Sequence, residues 1–568
     1  MTWTQVYDPL GAWWLSTLVA AMPVVVLLGL LAVFRVKPHW AAMSGAATSL
    51  IAASLVFRMP WVLSSASLLY GAAFGLLKIA WIVVAAVFLY DISVYTGQFE
   101  IMKQSVARIT ADRRLQALLV AFCFGAIIEG AAGFGAPVAI AGAFMIGLGF
   151  RPFHAAALNL IANTAPVAWG AIGTPVHTLA AVSGLPEAQL NAMIGRILPL
   201  TALIVPFWLV RTMVGWRETF EVLPAILVVG VSFATTQFIW SNFIDSNLVD
   251  IASGVVSLLS TVLFLRFWKP RHIWRFRDDE GTGDDVQSAA HSTTDCVDET
   301  SLSVAPRAVH HSPGQVARAW MPFLILAVFV LLWGLPPIKN ALNRWTTPAI
   351  ERGGWDVPKL HLAVSRSAPV VTNAESEKAK FDFNWLSATG SGCFLAALVS
   401  GVLLGMAPFD MARVFWRTLV RMRFAVLAIS FMLGLGFVTR YSGMDAVLGL
   451  AFTRTGWFFP FFGTFLGWLG VALTGSDTSS NALFGSLQRI TAEQLHLSPI
   501  LMCSANSAGG VMGKMVDAQS IVVATAATNQ VGNEGLIFRF VLWHSIALAS
   551  IVGLIVMAYA YVFHNAVP

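Results

Sequence analysis

GAIIEGAAGFGAPVAI at 125–140 and ANTAPVAWGAIGTPV at 162–176 decide the fold, because their pattern returns near the C-terminus. The second copy reads GVALTGSDTSSNALFG at 470–485 and ANSAGGVMGKMVDAQ at 505–519. Gly125 aligns with Gly470 and Gly130 with Gly475, an offset of 345; Asn163 aligns with Asn506 and Gly170 with Gly513, an offset of 343. In both copies Gly, Pro, Ser, Thr and Asn interrupt an apolar run. Backbone without helical hydrogen bonds is tolerated at membrane depth only where protein buries it or it lines a polar cavity.

The bilayer follows from composition. Of 568 residues, 57% are hydrophobic and only 11% charged, whereas soluble domains run at about 25% charged. Mean hydropathy is +0.73. The net charge of +6 reflects Lys and Arg at helix ends, and predicts no nucleic-acid partner. Four cysteines without CxxC spacing argue against a disulfide framework and a zinc site. Cys123, Cys393 and Cys503 lie in apolar runs, and Cys296 in a polar loop. No Lys or Arg precedes Arg35, so no cleavable signal peptide is expected.

A spanning helix needs about 20 apolar residues. Spans are expected near 15–34, 40–57, 68–90, 196–214, 219–240, 248–268, 319–335, 385–406, 424–439 and 538–562. Broken spans are expected near 153–182 and 498–526, and re-entrant hairpins of two half-helices at 115–148 and 459–492. The fold class is therefore an all-α polytopic membrane protein with about twelve crossings and two hairpins. Basic residues flank the loops expected inside: Arg35 and Lys37; Lys103, Arg108, Arg113 and Arg114; Arg151; Arg211 and Arg217; Lys269, Arg271, Arg275 and Arg277; Arg413, Arg417, Arg421 and Arg423. Both termini then lie outside. The first hairpin opens from the cytoplasm and the second from the exterior.

The repeat extends beyond its centre. Trp40 matches Trp385, and Tyr95-Thr96-Gly97 matches Tyr441-Ser442-Gly443. One repeat covers 12–215, linking helices cover 216–268, a polar cytoplasmic loop covers 269–317, and the second repeat covers 318–562. Its external insertion is 337–384; the polar loop, densest at 269–314, reads as disordered. The first half starts outside and the second inside, so the repeat is inverted. In membrane transporters, paired interruptions in such halves mark a midplane binding site.

Several residues are candidates for that site. GAAGFG superficially suggests a phosphate loop, but no strand, lysine or ribose-binding acid accompanies it; Gly130 and Gly133 read as a close-packed hairpin tip. Glu129 stands in that tip, and intramembrane carboxylates mark a site or proton path unless paired structurally. In the second tip Thr474, Ser476, Asp477, Thr478, Ser479, Ser480 and Asn481 offer donors to an anion, or caps to half-helix amides. Asn163-Thr164-Ala165-Pro166 and Asn506-Ser507-Ala508-Gly509-Gly510 are expected to break the two crossing helices. The free N–H groups of a half-helix there favour an anion, and a packing kink is the alternative. Lys514 and Asp517 share one helical face, either as a self-neutralising pair or as an anion-binding lysine tuned by its acid. Lys78 is a further intramembrane charge without an evident partner. His177 is a proton shuttle or a hydrogen-bonded structural histidine.

These stretches, GAIIEGAAGFGAPVAI, LNLIANTAPVAWGAIGTPV, TGSDTSSNALFG and SANSAGGVMGKMVDAQSI, resemble the bacterial L-lactate permease family. The likeness covers nearly all the membrane portion but not loop 269–314. It implies a multi-pass protein of the bacterial plasma (inner) membrane that moves L-lactate, D-lactate and glycolate with protons. It also implies kinship with elevator-type transporters; the residues themselves put Gly130, Gly133, Asn163, Thr164, Thr474, Ser476, Thr478, Ser479, Ser480, Asn481, Asn506, Ser507 and Lys514 near substrate. Glu129, Asp477 or Asp517 would couple the proton. No cofactor is implied, and a homodimer is compatible. From the residues alone, a sodium-coupled or exchange transporter of another small organic anion, a channel and a membrane receptor stay open. An intramembrane enzyme is disfavoured, since no GxSG–His pairing, HExxH or nucleotide loop occurs.

Overall fold

A computed structural model describes residues 2–568 apart from 33, 35, 108, 132, 134, 135, 277–310, 347–353, 372, 373, 529, 531 and 532. Expectations resting on Arg35, Arg108, Gly135, Arg277 and Cys296, on most of loop 269–314 and on part of insertion 337–384 lie outside the described residues.

Among the described residues, eight helices are long and apolar enough to cross a membrane: Trp61–Tyr95, Arg113–Ala131, Glu187–Met213, Leu223–Phe243, Val249–Phe267, Pro313–Val330, Pro408–Ser442 and Glu534–Tyr561. A ninth candidate is the pair Pro152–Ala162 and Val167–Ser183, bent by 64°. Shorter apolar helices run over Trp13–Leu27 and Thr389–Leu403. Proline sits in the first turn of the helices beginning at Pro38, Pro152, Pro313, Pro408 and Pro499, where its missing N–H costs no bond. Ser312 and Gln315 form a capping box ahead of Pro313–Gly334. Leu69, Leu259, Leu263, Leu324 and Leu554 are exposed, whereas Asn163, Asn481, Asn506 and Ser507 are buried. That inside-out distribution suits lipid as the outer solvent, where polar groups must be satisfied internally.

The two helices ended by the repeated Tyr-x-Gly element are equally long, Trp61–Tyr95 and Pro408–Ser442 at 35 residues each. Both outrun the expected spans 68–90 and 424–439. Arg413, Arg417, Arg421 and Arg423 continue the helix rather than forming a loop, and Arg421 meets Asp91 at 2.7 Å. Gly97 and Gly443 follow with φ of 73° and 82°, a left-handed stop that glycine adopts without a Cβ clash.

Where the hairpins are expected, helices Arg113–Ala131 and Ala136–Gly147 pack together, as do Phe459–Thr474 and Asp477–Gln494. The first bent helix breaks at Asn163, as expected. The second crossing helix corrects the expectation: Pro499–Gly513 runs unbroken through Asn506–Gly510, and the break falls later, at Lys514–Asp517. The glycines there serve close packing. A Cβ on Gly467 would lie 1.8 Å from Asn506 O, one on Gly509 2.0 Å from Thr464 O, and one on Gly513 2.3 Å from Trp468 O. Small residues four apart thus let two helix backbones touch, a packing mode common in membranes.

The N-terminal strand Trp3–Thr4 pairs in parallel with Val364–Ser365 of the insertion, whose Ser365–Arg366 pairs antiparallel with Glu375–Ser376. Lys78 finds its partner in the same insertion, 2.5 Å from Asp382 Oδ1. At another locus the fully buried Arg114 binds Asp112 at 2.7 Å, Glu218 O at 2.7 Å and His272 O at 2.9 Å. This clamp joins the loop before the first hairpin to both ends of the linking helices.

Candidate functional site

The helix Gly170–Ser183 packs on the second hairpin arm Asp477–Gln494, so the two motif copies meet. Their meeting place is a small cleft lined by Glu129, Gly133, Gly170, Thr174, Gly475–Thr478 and Lys514. Roomier clefts of about 520 and 740 Å³ lie between Trp13 and Arg454 and between Arg366 and Arg489. Neither brings intramembrane acids to helix breaks, whereas the small cleft brings Glu129, Asp477 and Lys514 there.

Glycine makes room for Glu129. A Cβ on Gly170 would lie 2.6 Å from Glu129 Oε1, and one on Gly133 3.6 Å away. The other oxygen, Oε2, accepts from Asn163 Nδ2 at 3.1 Å, while Asn163 Oδ1 is buried without a partner. Beyond Gly170 the chain takes three left-handed residues in succession, Ala171, Ile172 and Gly173, with φ of 45°, 59° and 69°. Such backbone at non-glycine residues costs about 1–3 kcal/mol each and persists only where surroundings hold it. Here Gly173 is pressed so close to Ser246 that a Cβ would lie 2.4 Å from its carbonyl oxygen.

In the second tip, Gly475 ends one half-helix at φ 73° and Ser476 caps the next, accepting from Ser479 N at 3.2 Å. Asp477 Oδ2 accepts from Ser507 Oγ at 2.5 Å and Asn481 Nδ2 at 3.3 Å, leaving Oδ1 buried and unpartnered. Asn506 donates to Asn481 Oδ1 at 2.9 Å, and Gln488 donates to Asn506 Oδ1 at 3.3 Å. Thr478 Oγ1 lies 3.3 Å from Thr174 Oγ1, so the copies touch through hydroxyls. Lys514 Nζ donates to Gly475 O at 2.5 Å and lies 3.2 Å from Asp517 Oδ2. Asp517 also caps the helix Ala518–Ala527 through Ser520 N at 2.9 Å. Lys514 and Asp517 are therefore paired and aimed at the tip at once.

Not every sequence candidate reaches the cleft. Thr164 Oγ1 turns back to Ile161 O at 2.7 Å, Thr474 Oγ1 to Gly470 O at 2.7 Å, and Ser480 Oγ to Gly467 O at 3.0 Å. These satisfy backbone. Gly130 faces the helix Val249–Phe267, and Ser479 is buried in the arm. His177 makes hydrogen-bonded contacts, 2.8 Å to Asn247 Oδ1 and 3.0 Å to Glu187 Oε1. Sequence reasoning missed Gly170 and Thr174 as cleft residues, and it missed the full burial of Asp250 against Gly130. The aligned Gly170–Gly513 pair was a signal for the first; Asp250 reads from sequence as a span-end acid.

Buried acids, a lysine, two hairpin tips and a bent helix inside a lipid-faced helical body define a polytopic membrane protein with an internal polar site. The model of the L-lactate permease family matches residues 16–563, and the chain belongs to that family. It is 46% identical to the glycolate permease GlcA of Escherichia coli K12, covering 99% of both chains. It is 45% identical to that organism's L-lactate permease and 41% to the L-lactate permease of Bacillus subtilis 168, covering all of each. Among solved structures, Neisseria gonorrhoeae MtrF matches over 94% of this chain and 97% of its own, at 11% identity and TM-score 0.45, too loose a likeness to define the fold. The family and the apolar helices make this a multi-pass protein of the bacterial plasma membrane.

Proposed function

We propose that the chain is a secondary active transporter taking up L-lactate, with D-lactate and glycolate, together with protons. The observation that carries this reading is the lining of one buried cleft by Glu129, Asp477 and Lys514, with both hairpin tips at its edge. The names of the relatives, lactate and glycolate permeases, supply the substrate class. A 2-hydroxy acid carries one carboxylate and one hydroxyl. The amide end of helix Asp477–Gln494 and Lys514 suit the carboxylate; Thr174 and Thr478 suit the hydroxyl. A proton on Glu129 or Asp477 offsets the anion's charge in a medium where isolated charge is disfavoured. Asp517, by taking a proton, would release Lys514 to the substrate.

The equal lengths of Trp61–Tyr95 and Pro408–Ser442 and the aligned motifs support an inverted repeat of 12–215 and 318–562. About twelve crossings, moving as an elevator, are the architecture this reading takes. The test is lactate uptake by proteoliposomes under an imposed pH gradient, with and without a sodium gradient. Accumulation driven by the pH gradient alone is expected; accumulation that needs sodium would replace proton coupling with sodium coupling. Among Glu129→Gln and Asp477→Asn, the variant of the proton carrier should retain lactate exchange and lose pH-driven accumulation. Both retaining it would move the role to Asp517 with Lys514.

A further inference from the structure

Gln488 stands on the second hairpin arm Asp477–Gln494, outside both motif copies, and is 0% exposed. Its Nε2 donates to Gly463 O at 2.6 Å and to Asn506 Oδ1 at 3.3 Å, while its Oε1 is buried without a partner. A buried polar group without a partner is costly. An apolar side chain of similar volume would avoid that cost.

What Gln488 supplies is direction. The nitrogen end of a side-chain amide only donates and its oxygen only accepts. Gly463 O is a carbonyl that can only accept, so it fixes the nitrogen end of Gln488 toward itself and toward Asn506 Oδ1. Asn506 therefore presents Nδ2 to Asn481 Oδ1 at 2.9 Å, and Asn481 presents Nδ2 to Asp477 Oδ2 at 3.3 Å. The far end is fixed in the same sense, because Asn481 Nδ2 also donates to Pro175 O at 3.2 Å. Two backbone carbonyls, one on Phe459–Thr474 and one on Gly170–Ser183, thus set one polarity for three side-chain amides.

Asp477 receives the end of that chain on one oxygen. Oδ2 accepts from Asn481 and from Ser507 Oγ, whereas Oδ1 is buried and bare. Gly510 leaves room for Oδ1, since a Cβ there would lie 2.2 Å from it. A proton on Oδ2 would face the Asn481 N–H, donor against donor. Other titratable groups around this arm are bonded elsewhere. His177 on Gly170–Ser183 meets Asn247 and Glu187, and Cys503 on Pro499–Gly513 donates to Gly485 O. Arg440 and Tyr441 on Pro408–Ser442 reach Glu377 and Lys378 O, and Asp445 on Met444–Phe452 is bonded to Thr439 and Ser486. Arg489 on the arm itself pairs with Glu493, and Phe459–Thr474 carries no titratable side chain. Lys514 and Glu129 share the cleft with Asp477.

We propose that Gln488 is a positioning residue for Asp477: through Asn506 and Asn481 it commits Oδ2 to accepting and leaves Oδ1 as the oxygen that takes the coupled proton. The O–H bond forms on Oδ1 with a proton from the medium, and the negative charge of Asp477 is removed. This rests on the proton-coupled reading above and assigns its proton to one oxygen of one acid.

The test uses the full chain in proteoliposomes, comparing wild type, Asp477→Asn and Gln488→Met for pH-driven accumulation, counterflow exchange and the pH profile of uptake. Wild type that fails to accumulate under a pH gradient would sink the proton reading and this proposal together. With wild type accumulating, Gln488→Met is expected to keep counterflow and to displace the uptake profile by about half a pH unit to one unit, the effect of one lost hydrogen bond. Asp477→Asn that still accumulates overturns the proposal and leaves proton coupling standing, with another acid as carrier. An unchanged profile in Gln488→Met also overturns it, at full or reduced uptake, because lost packing alone lowers the amount and leaves the profile in place. Where Gln488→Met fails to insert, Gln488→Asn decides, an amide one methylene too short to hold Gly463 O and Asn506 together. A displaced profile there supports the proposal, and an unchanged one refutes it.

Discussion

Glu129 is held as much by what its neighbours lack as by what they offer. Asn163 supplies one hydrogen bond at 3.1 Å, and the bare Cα of Gly170 supplies the space for the other oxygen. A methyl at Gly170 would meet that oxygen at 2.6 Å and must displace it. Gly170→Ala is therefore expected to insert normally yet lose lactate uptake by about tenfold or more, the effect of roughly 1.4 kcal/mol at the reacting geometry. Uptake at wild-type rate would show that the position of Glu129 is not critical. Asp477 is held differently, by Ser507 and Asn481 at one oxygen only. Two acids in one cleft thus have unlike surroundings.

At the scale of elements, the second hairpin and the helix behind it are one unit. Gly467, Gly509 and Gly513 bring Phe459–Thr474 and Pro499–Gly513 into backbone contact. Asn506 then reaches Asn481, and Ser507 reaches Asp477. The polar network depends on that seam. Gly509→Ala places a methyl 2.0 Å from Thr464 O, and overpacking of this kind costs about 1–3 kcal/mol. Its thermal midpoint in detergent is expected to fall. Gly147, beside which a Cβ would meet nothing within 4 Å, is the comparison: Gly147→Ala should be neutral or slightly stabilising, by about 0.5–1 kcal/mol. Equal midpoints for the two variants would show that the seam is slack.

At the scale of the whole molecule, the insertion and the N-terminus brace the helices on one side. Gln5 donates to Arg440 O and Tyr441 O at 3.0 Å each. Arg440 reaches Glu377 at 3.2 Å and Ala181 O at 3.1 Å, and Arg366 also pairs with Glu377. Burial raises the Glu377 carboxyl's pKa, but the Arg440 and Arg366 guanidiniums outweigh it and hold the carboxyl below the usual range. Strand pairing places residues 3–4 with 364–365, and the Arg114 clamp places residue 112 with 272–274. With the positive-inside rule, the first group should be external and the second cytoplasmic. In cells lacking Cys296, Glu375→Cys should react with an impermeant thiol reagent and Arg271→Cys should resist it. The reverse pattern would invert the orientation.

The sequence by itself determined the membrane and which stretches come in pairs. Hydropathy and glycine punctuation are local properties, and both copies of the motif carry them in their own residues. It also placed Glu129, Asp477 and Lys514 among the candidates, because a charge inside an apolar run is conspicuous. Only the tertiary structure decided where the second helix breaks, since Gly509 and Gly513 read equally as a kink or a seam until the partner backbone is seen. Only the structure gave Lys78 its partner, 304 residues away, and turned Thr164, Thr474 and Ser480 to backbone carbonyls. Asp250 is the sharpest case. Along the chain it is one acid at the end of an apolar span, and its burial against Gly130 comes from a helix packing that no local pattern encodes.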